Sequence, residues 1–411
     1  ALAPPFPPTN GQRLRNWALL RALQAEGHAV SLLSFADASW PAATQLRQVC
    51  QSVEFVPLPD TSAPGRRDYW NRLRALASVL PYGAWRFRSA AMRGAVGNAL
   101  ARGQFDTAIC DDVYMVQNLP PFPSVPVLLN KHDLTHVILG RYLAYERNPL
   151  KRAYGRLECR KLRYWELRAC SGVAAVLACS EHDCNLLRRL SPGARLAVVP
   201  NVIDVDFYTP FPGDDGQTVL FAGAMDWYPN RDAVEFFASA ILPALRQLVC
   251  DVRFVVAGRA PAEEVRRRLE RVSGVEFTGW VPDIRPLLAR AAVCVVPLRI
   301  GSGTRLKILE AAATARPVVS TTIGAEGLQF AEGSEILIAD APQDFAVAIA
   351  ALLSDPPRRR VLGAAARRKA EQVYSLAALR AAVRQALAEL QGAASVLLDA
   401  SPTLSLREAP P

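Results

Sequence analysis

Short runs of valine, isoleucine and leucine recur along this chain, and each is followed by a longer segment of helical period. The runs predict strands at 29–35, 53–56, 107–110, 127–129, 173–179 and 196–199, and again at 219–221, 252–257, 275–277, 293–298, 317–320 and 336–338. They do not alternate apolar with polar residues, as strands with one wet face do. Strands apolar on both faces need helices on both faces, so the chain must layer as α/β around parallel sheets. Segments 13–24, 232–248 and 260–271 are among the helices this reading expects.

The pattern occurs twice. Between the halves lies "DVDFYTPFPGDDGQT", which is rich in Pro, Gly and Asp and has no period. The expected layout is a first Rossmann-like, doubly wound domain over 1–203, a linker at 204–218, a second such domain over 219–373, a helix returning to the first domain at 374–391, and a loose tail at 392–411. Two domains facing each other across a cleft also suit 411 residues of which 51% are apolar. Only "ALA" precedes "PPFPPTNGQR", so the first strand looks short.

The formal net charge is +10, and only five of the 48 basic residues are lysine. Arginine suits phosphate and carboxylate recognition. A chain this basic could meet nucleic acid, an anionic membrane surface or an anionic substrate. No nucleic-acid motif with stacking aromatics is present, so nucleic acid is not expected as a partner. Segment 80–103, "LPYGAWRFRSAAMRGAVGNALARG", mixes Tyr82, Trp85 and Phe87 with four arginines and reads either as a solvated amphipathic helix or as a basic aromatic surface for anionic lipid headgroups. The eight cysteines are scattered without a CxxC and there are four histidines, which argues against zinc. The cysteines read as small buried apolar residues in a reducing compartment. No apolar run reaches the ~18 residues of a membrane span, and no signal-peptide pattern is seen. The expectation is a cytoplasmic protein, at most peripheral at the inner face of the membrane.

The chemistry concentrates in "RIGSGTRLKILEAAATARPVV", residues 299–319. A buried strand, "VCVVPL", leads into Gly301, Ser302, Gly303 and Thr304, and then into a helix from about Arg305 to Thr314. Glycines permit close backbone approach, and the amides and dipole of a helix start favour an anion. Arg305 and Lys307 add positive charge. The pattern is not GxxxxGK[ST], which disfavours a P-loop ATPase. Glu310 follows nearly two turns into the helix; an ionised carboxylate only accepts hydrogen bonds, which suits sugar or ribose hydroxyls. Near the start, Gly11 lies in "PTNGQR". His132 and Asp133 fall just past a strand end, the edge at which open α/β sheets bind ligands. His136 is expected to orient that loop, and Asp111 and Asp112 read as loop carboxylates. The only Asp-x-Asp, Asp204 and Asp206, falls in the linker, so no metal is expected.

"PLRIGSGTRLKILEAAATARPVVSTTIGAEGL" resembles the donor-site signature of GT-B glycosyltransferases of family 4. "PPFPPTNGQRLRNWALLRAL", "VPNVIDVDFY", "FAGAMDWYPNRDAVEFF" and "FTGWVPDIRPLLARAAVCVVPL" agree with it, over roughly residues 4–390. The resemblance implies two Rossmann-like domains, a nucleotide-diphosphate sugar held by the second, a glycan or lipid-linked acceptor held mostly by the first, and retention at the anomeric carbon. It places His132 near the reacting carbon, Glu310 on the ribose and Gly11 against the donor phosphate. No cofactor beyond the sugar-nucleotide substrate is implied. The sequence departs from the family pattern at three points: Ser302 where the first of two glutamates is usual, Gln12 for a second glycine, and Asn230 near the expected lysine. Arg305 and Lys307 are then the expected diphosphate cations, with Arg299 and Arg231 behind them. Ser302 and Gln12 also fit an alternative, a non-catalytic sugar-nucleotide-binding protein on the same fold. An epimerase is a more distant one.

Overall fold

The computed structural model describes residues 1–59, 66–103, 105–259, 266–267, 269 and 271–397. The chain divides into two compact units. Residues 1–200 and those from Leu379 onward form the first, and Asn201–Ala378 form the second. Each predicted strand run corresponds to an observed strand. Most of the helix expected at 260–271 lies outside the described residues.

In the first unit, β1 (Ser31–Phe35) and β2 (Ser52–Val56) pair in parallel. A separate four-stranded parallel sheet has the order β3 (Ala108–Asp111), β4 (Val127–Asn130), β5 (Ala175–Ala178), β6 (Leu196–Val198). Strands β4 and β5 are buried along their whole length, which is why their sequences carry no alternation. Phe35 and Val56 share one core with Cys110, Val127, Leu129 and Val176, so both sheets pack on common helices. The short lead-in lies against β1: the Ala1 amine donates to Leu33 O at 2.5 Å, and Phe35 N donates to Ala1 O at 3.2 Å.

The second unit is one six-stranded parallel sheet. In chain order its strands are β7 (Thr218–Ala222), β8 (Arg253–Ala257), β9 (Val275–Gly279), β10 (Val293–Val296), β11 (Val318–Ser320) and β12 (Leu337–Ile338). In space they run β9-β8-β7-β10-β11-β12. Phe221, Phe237, Phe254 and Phe345 are fully buried in its core, with Phe237 and Phe254 stacked at 4.0 Å. The helix expected at 232–248 starts earlier, at Tyr228, and carries a π turn at Phe237–Ile241 ahead of Leu242–Leu248. Pro243 follows that turn, and proline has no N–H to continue an α-helical ladder.

The stretch expected as a linker is built into the second unit. Asp214 accepts from Arg359 Nη2 at 2.8 Å and Nε at 3.2 Å. Arg367 donates to the carbonyls of Val205, Tyr208 and Ala313. Asp204 caps a tight turn by accepting from the amides of Asp206 and Phe207. The C-terminal helix runs Leu376–Leu397, so the tail expected to be loose from 392 is helical for its first six residues. Glu26, at the end of the first helix, accepts from Arg380 Nε and Arg384 Nε at 2.7 Å each.

Two surface expectations need correction. Tyr82 is buried and Trp85 and Phe87 are half-buried, because this segment packs into the first unit's core; it does not offer an aromatic face to lipid. Six cysteines are buried as expected, but Cys159 is half-buried and Cys250 exposed. Among the described residues, no helix is long and apolar enough to cross a membrane.

Candidate active site

Strand order locates the site in the second unit. From β7 the chain winds outward through β8 and β9, then returns to β10 and winds the other way through β11 and β12. Ligands of open α/β sheets bind beyond the carboxyl ends of the two strands where the winding reverses. Those strands are β7 and β10, and the loops that leave them carry Gly223 and Gly301–Thr304.

Gly303 adopts φ +73°, which a side chain would strain. A Cβ at Gly301 would collide with the Arg305 guanidinium, and one at Gly223 would come within 2.8 Å of Lys307 Nζ. Both glycines therefore leave room for cations. Ser302 is buried. Thr304 Oγ1 accepts from Asn201 Nδ2 at 2.7 Å, which pins the end of the loop. The helix that follows is Leu306–Ala313, with Arg305 as its extended N-cap and no side-chain cap on its first amides. Those amides are a helix start of the kind that takes an anion.

The cations differ in what they do. Arg305 folds back on its own loop, donating to the carbonyls of Ser302, Gly303 (2.9 Å) and Ile323 (3.3 Å). It clamps the loop in this structure, where the sequence suggested a phosphate ligand. Arg299 is held by Asp232 at 2.6 and 3.1 Å and lies over the Phe236 ring, which ties it to the helix after β7. Arg231 lies in the same helix. Lys307 is the cation that Gly223 leaves room for. Its Nζ donates to Asn230 Oδ1 at 2.9 Å and lies 3.8 Å from the centre of the Phe221 ring. Burial, then the nearby Arg305 charge, pull its pKa down to about 7, against the attraction of Glu310. Asn230, placed where the family has a lysine, fits this geometry: it accepts from Lys307, where a second ammonium would repel it.

Glu310 is one turn further on. Its Oε1 accepts from Tyr208 Oη at 3.2 Å. Burial pushes its pKa up to about 7, partly offset by Tyr208 and Lys307. A narrow cavity against the paired strands β7 and β10, lined by Leu220, Ala222 and Val296, reaches both Lys307 and Glu310. Tyr208 and Asn201 were not singled out from the sequence; each is an isolated polar residue more than 100 positions from its partner in the chain.

The first unit gathers a second polar cluster. Gly11 opens the Gly11–Ala25 helix, whose N-cap Asn10 accepts from Arg13 N. Gln12 Nε2 donates to Asp111 Oδ2 at 3.3 Å, and Asn16 Nδ2 donates to the same oxygen at 2.7 Å. His132 Nε2 lies 2.7 Å from Asp111 Oδ1. Asn130 bridges Asp111 and Asn16, and buried Arg15 fixes Asn130 at 2.9 Å and Val199 O at 2.6 Å. Burial would raise the Asp111 pKa, but the His132 charge and the hydrogen bonds from His132 and Asn16 hold it down at about 2. Asp111, read from the sequence as a loop carboxylate, is thus the hub that joins the Gln12 position to His132. Its neighbour Asp112 sits at φ 73°, ψ 145°, a strained conformation of the kind found at working sites.

Below this cluster, Glu166 is fully buried on the Pro149–Ser171 helix. It accepts from Lys131, from Thr135 N at 3.1 Å, from His136 N at 2.9 Å and from His136 Nδ1 at 2.5 Å. His136 does hold the loop, as expected, and it does so through Glu166, which the sequence did not mark. Thr135 Oγ1 donates to Asp133 Oδ1 at 2.9 Å.

Residues 9–207 match Glycosyltransferase Family 4, and residues 216–355 match Glycosyl transferases group 1. The chain belongs to the family-4 GT-B glycosyltransferases. This glycosyltransferase superposes on sucrose-phosphate synthase from Thermosynechococcus elongatus with a TM-score of 0.69 at 21% identity, covering 93% of this chain and 94% of that one. It also superposes on HepE from Anabaena in complex with UDP and glucose, with a TM-score of 0.62 at 17% identity and coverage of 91% and 95%. An uncharacterized 44.6 kDa protein in the cps region of Klebsiella pneumoniae is 23% identical over 355 residues, 82% of this chain and 85% of that protein.

Proposed function

We propose that this glycosyltransferase moves a sugar from a nucleotide-diphosphate donor to a glycan or lipid-linked acceptor, with retention at the anomeric carbon. The observation that carries the reading is the Lys307–Glu310 arrangement at the switch point of the second unit, beside loops whose glycines make room for Arg305 and Lys307. The diphosphate would rest on the loop amides, the first turn of Leu306–Ala313 and Lys307. Glu310 would accept from the ribose hydroxyls. As the bond from the anomeric carbon to the phosphate oxygen breaks, the amides and Lys307 stabilise the departing charge. The acceptor oxygen bonds to the same face of that carbon, and its proton passes to the leaving phosphate oxygen. His132, oriented by Asp111, would contact the donor sugar. A UDP-sugar is the first donor to try, because the similar HepE structure holds UDP and glucose.

Thermal shifts with UDP-, GDP-, ADP- and CMP-sugars test the donor site, since a ligand that binds only the folded protein raises its stability. NMR of the product reads the anomeric configuration; an inverted product removes the retaining step. Asp111→Asn tests the first-unit cluster. It keeps the shape but loses the charge that orients His132, so kcat is expected to fall ~10–100-fold with the donor KM little changed. An unchanged kcat would place the Asp111 network outside catalysis.

A further inference from the structure

The Pro149–Ser171 helix exposes an apolar stripe. Leu150 is 80% exposed, Leu157 41% and Tyr164 63%. They are seven residues apart and so fall along one face of the helix. Lys161, on the same face, donates to the carbonyls of Ala75 and Leu76 at 3.0 and 3.1 Å. That contact caps the Arg66–Leu76 helix and brings a second apolar group alongside the stripe: Trp70 at 62%, Leu73 at 40% and Val79 at 75% exposed.

Among the described residues, the charges that the long helix turns outward are cations. Lys151, Arg152, Arg156, Arg160 and Arg163 are all exposed on the long helix. Its two carboxylates are turned inward: Glu166 holds Lys131 and His136, and Glu158 accepts from Tyr82 N at 2.7 Å. Glu146, just before the helix, is taken up by Tyr142 Oη and Asn148 N. Aliphatic and aromatic side chains set among outward cations, with the long helix's own carboxylates turned inward, match the interfacial region of a bilayer. Nucleic acid would use the cations and stacking rings but has no use for exposed Leu73, Val79, Leu150 and Leu157.

We infer that the face built from the Arg66–Leu76 and Pro149–Ser171 helices docks on a membrane surface rich in anionic lipid. It lies on the first unit, next to the segment 80–103, which packs behind it through Tyr82, and it stands whether or not the donor site works as proposed.

The test uses the full chain and vesicles of phosphatidylcholine alone or with ~30% phosphatidylglycerol, in about 0.1 M salt, where exposed charges still act over roughly 10 Å. Binding to the anionic vesicles should exceed binding to neutral ones by at least tenfold. The triple variant Leu150→Ser, Leu157→Ser, Tyr164→Ser and the pair Arg156→Glu, Arg160→Glu should each weaken it about tenfold, with unfolding midpoints and sugar-nucleotide thermal shifts like those of the parent. Lys307→Ala should still bind vesicles, which separates this face from the donor site. Equal binding to both vesicle types, or full binding by either surface variant, overturns the inference. So does displacement from vesicles by an RNA or DNA oligonucleotide that the parent binds more tightly.

Discussion

Glu310→Ala and Lys307→Ala should each abolish the thermal shift given by the cognate sugar nucleotide and lower kcat/KM by about 10²–10³-fold, Lys307→Ala because a preorganised group facing developing charge is lost and Glu310→Ala because the ribose hydroxyls lose a buried charged acceptor. The two side chains share a cavity and are coupled, so the double variant should lose less than the sum of the singles. Binding should also be linked to pH. Without donor, burial and Arg305 hold Lys307 at about 7, well below an ordinary lysine. A bound diphosphate favours the ammonium, so binding takes up a proton and affinity should fall as pH rises above about 7. For stability without donor, the two groups act in opposite directions. Glu310 has a raised folded pKa, so its contribution is present below its ordinary value and lost as pH rises through about 7; Lys307 has a lowered one, so its contribution grows as pH rises above about 7. Calorimetry in buffers of different ionisation heat reads the proton directly. Glu310, also held at about 7, gives up a proton when it accepts from the ribose and opposes this uptake. The decisive measurement is therefore on Glu310→Gln, which has no such proton to release: proton release, or none, in that variant would mean that the diphosphate does not rest on Lys307.

Glu166→Ala should cost about 3–5 kcal/mol of folding stability, the usual price of removing one member of a buried, hydrogen-bonded ion pair. It strands Lys131 in the core along with the amides of Thr135 and His136. Burial alone would raise the Glu166 pKa, but Lys131 and His136 hold it at about 2. A depressed carboxylate contributes stability above its ordinary pKa and loses it as pH falls from about 4.5 toward 2. The parent should therefore show a steep acid limb in urea unfolding, and the variant a flatter one. Equal midpoints at neutral pH would show that water reaches the cluster.

The sheet strands were legible because a strand covered on both faces must be apolar throughout, and little else in a sequence looks like that. The loop after β10 was legible as a turn into a helix because glycines, cations and a helix start fell between a buried strand and an alanine-rich segment. What the sequence hid was direction. Nothing in "GTRLK" says that Arg305 turns back on its own carbonyls while Lys307 reaches Asn230. Nor does Asp111 differ on paper from Asp112, yet one gathers Gln12, Asn16, Asn130 and His132 while the other occupies a strained turn. The aromatic–basic segment at 80–103 misled because composition does not say which side of a helix is inside. The 204–218 stretch lacked period and so read as a tether, but its aspartates and carbonyls are satisfied by Arg359 and Arg367.

The first unit is discontinuous in the chain, since the residues from Leu379 onward belong to it and the second unit is inserted between its parts. On the ribosome, residues 1–200 emerge and then wait while all of Asn201–Ala378 is made, roughly 10–40 s at ordinary elongation rates. During that interval Glu26 lacks Arg380 and Arg384, and Leu379, Val383 and Ala386, buried in the finished protein, do not yet exist. The second unit is contiguous and has every one of its strands in hand before the first is complete. Synthesis order thus favours completion of the second unit first, and the helix that follows it in the chain is the piece that closes the unit begun at residues 1–200.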